Sequence, residues 1–191
     1  MELKKCLRTR RTIRKFKQIS ISKEVLYEII DDGRLAPSGA NLQPIKFVAV
    51  NDKTICEKIF ANVKWAGYTA PSGVPSKKEA PTAYITVKVD KKIKENGDND
   101  ASYAGENIIL SAWDKGIGSC IIGAFDRTAL NELFSVSDSE YIHTVIALGY
   151  PAQLSEYEDN DDTVKYYLDE KDNFHVPKRS MNTVADFSFC N

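Results

Sequence analysis

Histidine is scarce in this chain of 191 residues, at two, and the four cysteines, Cys6, Cys56, Cys120 and Cys190, never fall at CxxC spacing. A Cys/His metal centre would have to be gathered from scattered positions, so no metal site is expected. No disulfide framework is written into the spacing either, and a reducing cytoplasm is the expected setting. No run approaches the ~20 apolar residues of a membrane span. The opening MELKKCLRTRR is charged without an apolar stretch, unlike a secretory signal, and nothing apolar precedes Cys6 as a lipid-anchor signal would require. Internal repeats and clear linkers are missing too. One domain over 1–191 is therefore expected, with a C-terminal extension from about 151.

What is present is ordinary globular material, 42% hydrophobic and 28% charged. Net charge is only −1, yet it is unevenly spread. Residues 2–17 hold Lys4, Lys5, Arg8, Arg10, Arg11, Arg14, Lys15 and Lys17 against Glu2 alone. Such a basic end implies an anionic partner. Residues 156–172 hold Glu156, Glu158, Asp159, Asp161, Asp162, Asp169, Glu170 and Asp172, most simply a solvated surface segment.

Periodicity divides the chain into alternating helices and short strands. Leu3, Cys6 and Leu7 form a helical stripe. Over 9–16 an extended chain would put Arg10, Thr12 and Arg14 on one face, aimed at a common point, with Ile13 on the other. Ser22 caps a helix burying Val25, Leu26, Ile29 and Ile30, which should end at Ala36 because Pro37 disfavours helix before it. PSGANLQP, 37–44, is a loop by composition, followed by a strand in KFVAV. Asp52 caps a helix with Ile55, Cys56, Ile59 and Phe60 inward. Residues 61–80 form a long irregular segment of the kind that serves as a lid. AYITVKV, 83–89, alternates as a strand, and a polar turn follows. Asp100 starts a helix to about Lys115, with Tyr103, Ile108 and Ala112 inward. SCIIG is a buried strand, Asp126 caps a helix carrying Leu130, Leu133 and Phe134, and TVIALGY, 144–150, is another buried strand. One sheet with helices makes this α/β or α+β.

The basic cluster carries the first chemical reading. Arginine matches phosphate oxygens with a planar fork, and Arg10, Thr12 and Arg14 add a hydroxyl donor to the charge. A basic surface strip or a nucleic-acid footprint would use the same residues. Nucleic acid fits poorly, because there is no basic helix repeat and the isoelectric point is about 6.2. In PSGANLQP, Ser38, Asn41 and Gln43 offer donors and acceptors and Gly39 permits close backbone approach, although a helix stop and turn accounts for the loop alone. Cys120 reads as a core residue rather than a redox thiol. His143 has no partner at a telling spacing, and His175 lies in the tail, where exposure is expected.

Taken together, R-R-x-x-R-x-F at 10–16 and A-P-S-G-x-N-x-Q-P at 36–44 resemble the FMN-dependent nitroreductase family. GENIILSAWDKGIGSCIIGAFD looks like that family's central helix and following strand-turn, VIALGYP like its last core strand, and PKRSMNTV like its basic C-terminal segment. The resemblance implies an α+β fold, a mixed sheet flanked by helices, built as an intertwined homodimer with two FMN sites at the interface. By that resemblance Arg10, Arg11, Thr12 and Arg14 hold the ribityl phosphate and one side of the flavin, and Lys178 or Arg179 closes the phosphate site. Pro37, Ser38, Gly39 and Asn41 reach the flavin from the other subunit. Ile122 and Gly123 pack beside the isoalloxazine ring.

The implied activity is ping-pong transfer of hydride from NADH or NADPH through FMN to nitroaromatics, quinones or a related small-molecule acceptor. No side chain is needed as nucleophile or acid, since the cofactor carries the chemistry. Arg14, or a lysine from 77 or 78, would support the reduced flavin electrostatically. Trp65 and Tyr68 would cover the open flavin face or simply fill core. The region 91–100 is only a polar turn where many relatives carry a long helical excursion, which points to a more open acceptor site. Rival readings are a flavin-fold relative doing dehalogenation, enone reduction or dehydrogenation, a non-catalytic flavin-binding protein, and a basic-armed nucleic-acid binder. Neither nucleic acid nor membrane is expected as a partner.

Overall fold

The computed structural model describes residues 1–190. Helix α1, Leu3–Thr9, leads into a two-residue strand β1, Phe16–Lys17. Helix α2, Lys23–Arg34, starts where the Ser22 hydroxyl accepts the Val25 N–H. Strand β2, Ile45–Val50, then α3, Lys53–Ala61, follow, α3 capped by the Asp52 carboxylate on the Ile55 N–H. After the irregular segment come β3, Ala83–Asp90, α4, Asp98–Asp114, and β4, Gly118–Ile122. Helix α5, Arg127–Leu133, is capped by Asp126 and precedes β5, Glu140–Pro151.

Five strands form one sheet in the order β1-β5-β3-β2, with β4 also on β5. Its ladders are antiparallel. The parallel pairing expected of a mixed sheet is confined, here, to a single bridge between Thr12 and Ser119. Period-two alternation sends side chains to opposite faces. Ile85, Val87, Ile146 and Leu148 meet α2 and α4 in one buried cluster. Tyr84, Val145, Ala147, Cys120 and Ile122 meet α3 and α5 in another. The central strand β3 is thus buried on both faces.

Several expectations need correction. Helix α4 begins at Asp98 rather than Asp100, because the Asp100 carboxylate turns into the protein to bind Ser38, Gly39 and Lys94 instead of capping its own helix. Tyr103 is half exposed, not inward, whereas Ile108 and Ala112 are buried. Helix α2 stops at Arg34, short of Ala36. On α1, only Cys6 of the apolar stripe is buried, and Leu3 and Leu7 stay exposed.

The extension is folded, not merely solvated. It contributes β6, Ser155–Asp159, β7, Tyr167–Leu168, and β8, Phe174–Lys178, before a short helix α6, Met181–Val184. The three strands form a small sheet in the order β6-β8-β7, parallel between β6 and β8. His175 is not exposed as expected. Its ring stacks on Tyr167 at 5.0 Å and lies 3.3 Å from Asp169 and 3.6 Å from Glu156. No helix is long and apolar enough to cross a membrane.

Candidate functional site

The arginine segment is pinned by its two apolar residues. Ile13 and Phe16 are each only 1% exposed. They seat over Gly118 and Gly149, which are direct partners across β4 and β5. The Ile13 N–H also donates to the Ser119 carbonyl at 2.9 Å. Seating the apolar residues leaves Arg10, Arg11, Thr12 and Arg14 partly accessible along the edge of β4.

The cations are only partly offset. Arg10 Nη2 reaches Glu106 of α4 at a long 3.4 Å, and Arg11 donates to the Arg8 carbonyl at 2.6 Å. The Nε atoms of both Arg10 and Arg11 are buried without a hydrogen-bond partner. Burial, and then the neighbouring Arg10 charge, lower the Arg11 pKa. Among the described residues the Arg14 guanidinium makes no hydrogen bond or ion pair. It rests instead at 4.6 Å from the Tyr166 ring and 4.8 Å from the Phe174 ring. Arg10 thus leans on α4 and Arg14 on the rings of the extension.

Beyond β4 the chain turns through Gly123, where an added Cβ would meet open space, while Ile122 is buried. Residues 62–64 run alongside this turn, through Val63 bridged to Phe125 and Lys64 N–H bonded to the Ala124 carbonyl. The irregular segment is thereby tied to the end of β4. Of its aromatics, Trp65 packs on Phe60 at 5.8 Å and has a buried, unpartnered Nε1, whereas Tyr68 is exposed and meets Tyr166 at 5.1 Å. Burial pushes the Cys120 thiol up to about 11, with the Arg14 charge pulling the other way. A thiol so protonated is a core residue, not a nucleophile.

The remaining sequence-derived residues lie elsewhere. Pro37, Ser38, Gly39 and Asn41 form the loop beyond α2. Ser38 Oγ and the Gly39 N–H both donate to Asp100, at 2.6 and 2.9 Å, and Lys94 reaches the same carboxylate at 2.5 Å. Asp100 is 2% exposed. Burial favours its neutral form, but Lys94, Ser38 and Gly39 outweigh that and hold its pKa at about 2. The Asp90 N–H bonds to the Pro44 carbonyl, so the loop closes the Glu140 end of β5. Phe16 pairs with Pro151 at the other end, roughly 35 Å away along the strand. No hydrogen bond or ion pair among the described residues joins the loop to the arginines. Lys178 and Arg179 are exposed at the end of β8, with Arg179 near Asp161.

Neither described cavity gathers these residues. One of about 140 Å³ lies beside Pro37, Ser38 and Asp100, well below the size of a cofactor pocket. Another of about 870 Å³ is lined by Asn51, Lys53, Cys56, Lys77 and Lys78, and no arginine reaches it.

The sequence model of the nitroreductase family matches residues 7–150, from the arginine segment to the end of the last core strand. The chain belongs to the nitroreductase family. It is, by that membership, an oxidoreductase. It is 32% identical over 165 residues to a protein of Archaeoglobus fulgidus carrying the provisional name NADH dehydrogenase/NAD(P)H nitroreductase, covering 84% of this chain and 92% of that one. Among solved structures, a nitroreductase family protein from Clostridium novyi NT superposes with a TM-score of 0.69 at 27% identity, over 79% of this chain and 86% of that one. An FMN-dependent nitroreductase from Clostridium difficile R20291 gives 0.68 at 26% identity, over 83% and 92%.

Three residues that hold the arginine segment were not foreseen. Gln153 Oε1 accepts the backbone N–H groups of both Arg14 and Lys15, at 3.2 and 2.6 Å. Tyr166 and Phe174 cradle Arg14. Tyr166 stands inside the acidic run and Phe174 just beyond it, aromatics in an otherwise polar stretch being the available signal for these two; nothing local marks Gln153.

Proposed function

We propose that the chain is an FMN-dependent NAD(P)H oxidoreductase, working as a homodimer, that reduces nitroaromatics, quinones or related small acceptors. The carrying observation is the pair of buried, unpartnered Nε atoms on Arg10 and Arg11. With Glu106 at a long 3.4 Å from Arg10 and no carboxylate among the described residues paired with Arg11, these cations are short of anionic partners, and a phosphate group supplies both acceptors and charge. The donor set therefore fits the ribityl phosphate, with Thr12 adding a hydroxyl. FMN, when bound, would supply the chemistry: it takes a hydride from the nicotinamide and passes electrons to the acceptor.

The chain's own residues hold and shield the cofactor. Arg14 lies where its uncommitted charge would favour the reduced, more negative cofactor. Ile122 and Gly123 would pack against the ring system, Gly123 leaving room for a close approach. Tyr68, exposed where it packs on Tyr166, would cover the outer face. Pro37, Ser38, Gly39 and Asn41 are held by Asp100 and make no hydrogen bond or ion pair with the arginines among the described residues, which supports their serving the site of a second copy. Exposed Leu35, Leu42 and Tyr103 around that loop and α4 give the second copy an apolar surface to cover. Lys178 and Arg179 would close the phosphate end from the extension. We read 1–191 as one domain with this extension as its C-terminal part, working in the cytoplasm as its cysteine usage suggests.

The test is spectroscopic. Purified protein should be yellow, release FMN on denaturation, and bleach under NADH or NADPH without oxygen, with a quinone or nitroaromatic restoring the colour. Colour that no nicotinamide bleaches would reduce the protein to a flavin binder.

A further inference from the structure

The extension meets the arginine segment at matched points. Gln153, at its start, takes the N–H groups of Arg14 and Lys15. Asp172 takes the Lys15 ammonium. Between them, Tyr166 and Phe174 form a notch, their ring centroids 6.0 Å apart and their planes inclined by 55°. The Arg14 guanidinium sits 4.6 and 4.8 Å from the two rings. Those three distances place both rings on one side of the cation, and Arg14 as a whole stays partly exposed.

The notch is braced from outside by the irregular segment before β3. Tyr68 packs on Tyr166 at 5.1 Å, and Gly73 lies so close to Phe174 that an added Cβ would stand 3.1 Å from the ring edge. Phe174 is fully buried and Tyr166 partly so.

We propose that Tyr166 and Phe174 are positioning residues that fix the Arg14 guanidinium beside β4 and thereby set the redox balance of the cofactor held there. This rests on the FMN reading above and on Arg14 as its charge partner. The physical reason is specific to aromatic partners. A carboxylate would immobilise the arginine and neutralise it together. A ring face attracts the cation through its quadrupole and leaves the net charge and every N–H donor available. Covering one side with rings also excludes water there, which strengthens the field on the other side. A flexible arginine in solvent would spread the same charge over many rotamers.

The test compares FMN midpoint potentials, by dye equilibration on the holoprotein, for the wild type and for Arg14→Ala, Tyr166→Leu, Tyr166→Phe, Phe174→Leu and Arg14→Ala/Tyr166→Leu. Arg14→Ala should disfavour reduction about tenfold, ~30 mV for a two-electron couple. Tyr166→Leu and Phe174→Leu should move the potential the same way by a smaller amount, and Tyr166→Phe should restore it. The double variant should lie no lower than Arg14→Ala, because the ring acts through the arginine. A normal potential in both leucine variants while Arg14→Ala falls overturns the proposal and leaves the FMN reading intact. An additive double variant overturns it too. No change in Arg14→Ala removes the charge-partner role and the proposal with it. Should a leucine variant fail to retain FMN, NMR of the cofactor-free chain decides. The Arg14 side-chain protons should be ring-shifted upfield in the wild type and lose that shift in Tyr166→Leu; identical shifts in the two overturn the notch.

Discussion

Gly118 and Gly149 stand directly opposite each other on β4 and β5, and together they make the dimple that seats the arginine segment. A Cβ at Gly118 would stand 2.7 Å from Ile13 Cγ1, and one at Gly149 the same distance from Phe16 Cδ1, each with the neighbour's own Cβ at 2.8 Å. Neither clash involves the far end of a flexible chain, so the segment itself would have to lift.

Gly118→Ala and Gly149→Ala should each therefore destabilise the fold by about 1–3 kcal/mol, the range for overpacking a tight site. Chemical denaturation reads that loss. Because the displaced segment carries Arg10 to Arg14, FMN affinity should fall more in these variants than in one equally destabilised by trimming Ile29 in the α2 core. Equal affinity losses in both would detach the dimple from the site.

Asp100 should govern part of the acid stability. Its folded pKa of about 2 lies below the ~3.9 of an unfolded aspartate. The sign follows: its contribution is complete above about pH 4 and fades as the pH falls toward 2. Asp100→Asn strands the Lys94 ammonium and weakens the Ser38 and Gly39 bonds, costing about 1–3 kcal/mol at pH 7. Stability measured against pH should show that difference closing in acid. A constant gap from pH 7 to pH 2 would mean the carboxylate is not the group responsible.

Subunit exchange tests whether the 37–41 loop serves a second copy. One chain carries Arg10→Ala/Arg14→Ala with a normal loop, and its partner carries Asn41→Trp with normal arginines. If arginines and loop of one site come from different chains, a mixed dimer regains one intact site and binds one FMN. If both come from the same chain, mixing restores nothing.

Local chemistry announced much of this fold. Ser22, Asp52 and Asp126 each accept an N–H of their own helix, three residues on, as their positions before apolar stripes imply. The same logic misled at Asp100, whose carboxylate is taken by Ser38, 62 residues away in sequence, and a capping pattern cannot register such a competitor. The arginine segment was legible because Ile13 and Phe16 alternate with its charges. What those residues seat on was not, since Gly118 and Gly149 become neighbours only once β4 and β5 pair. The extension was least legible of all. Gln153, Tyr166, Asp172 and Phe174 find their partners at residues 14–15, so their order depends on contacts that no local window contains.

The most direct measurement is FMN content per chain in purified Arg10→Ala/Arg14→Ala, beside the wild type. The protein should stay folded, since neither side chain is core, but emerge colourless and bind added FMN at least a hundredfold more weakly, in line with the loss of two charge-assisted contacts at ~1.5–3 kcal/mol each. Wild-type flavin content in that variant would contradict the account at its base.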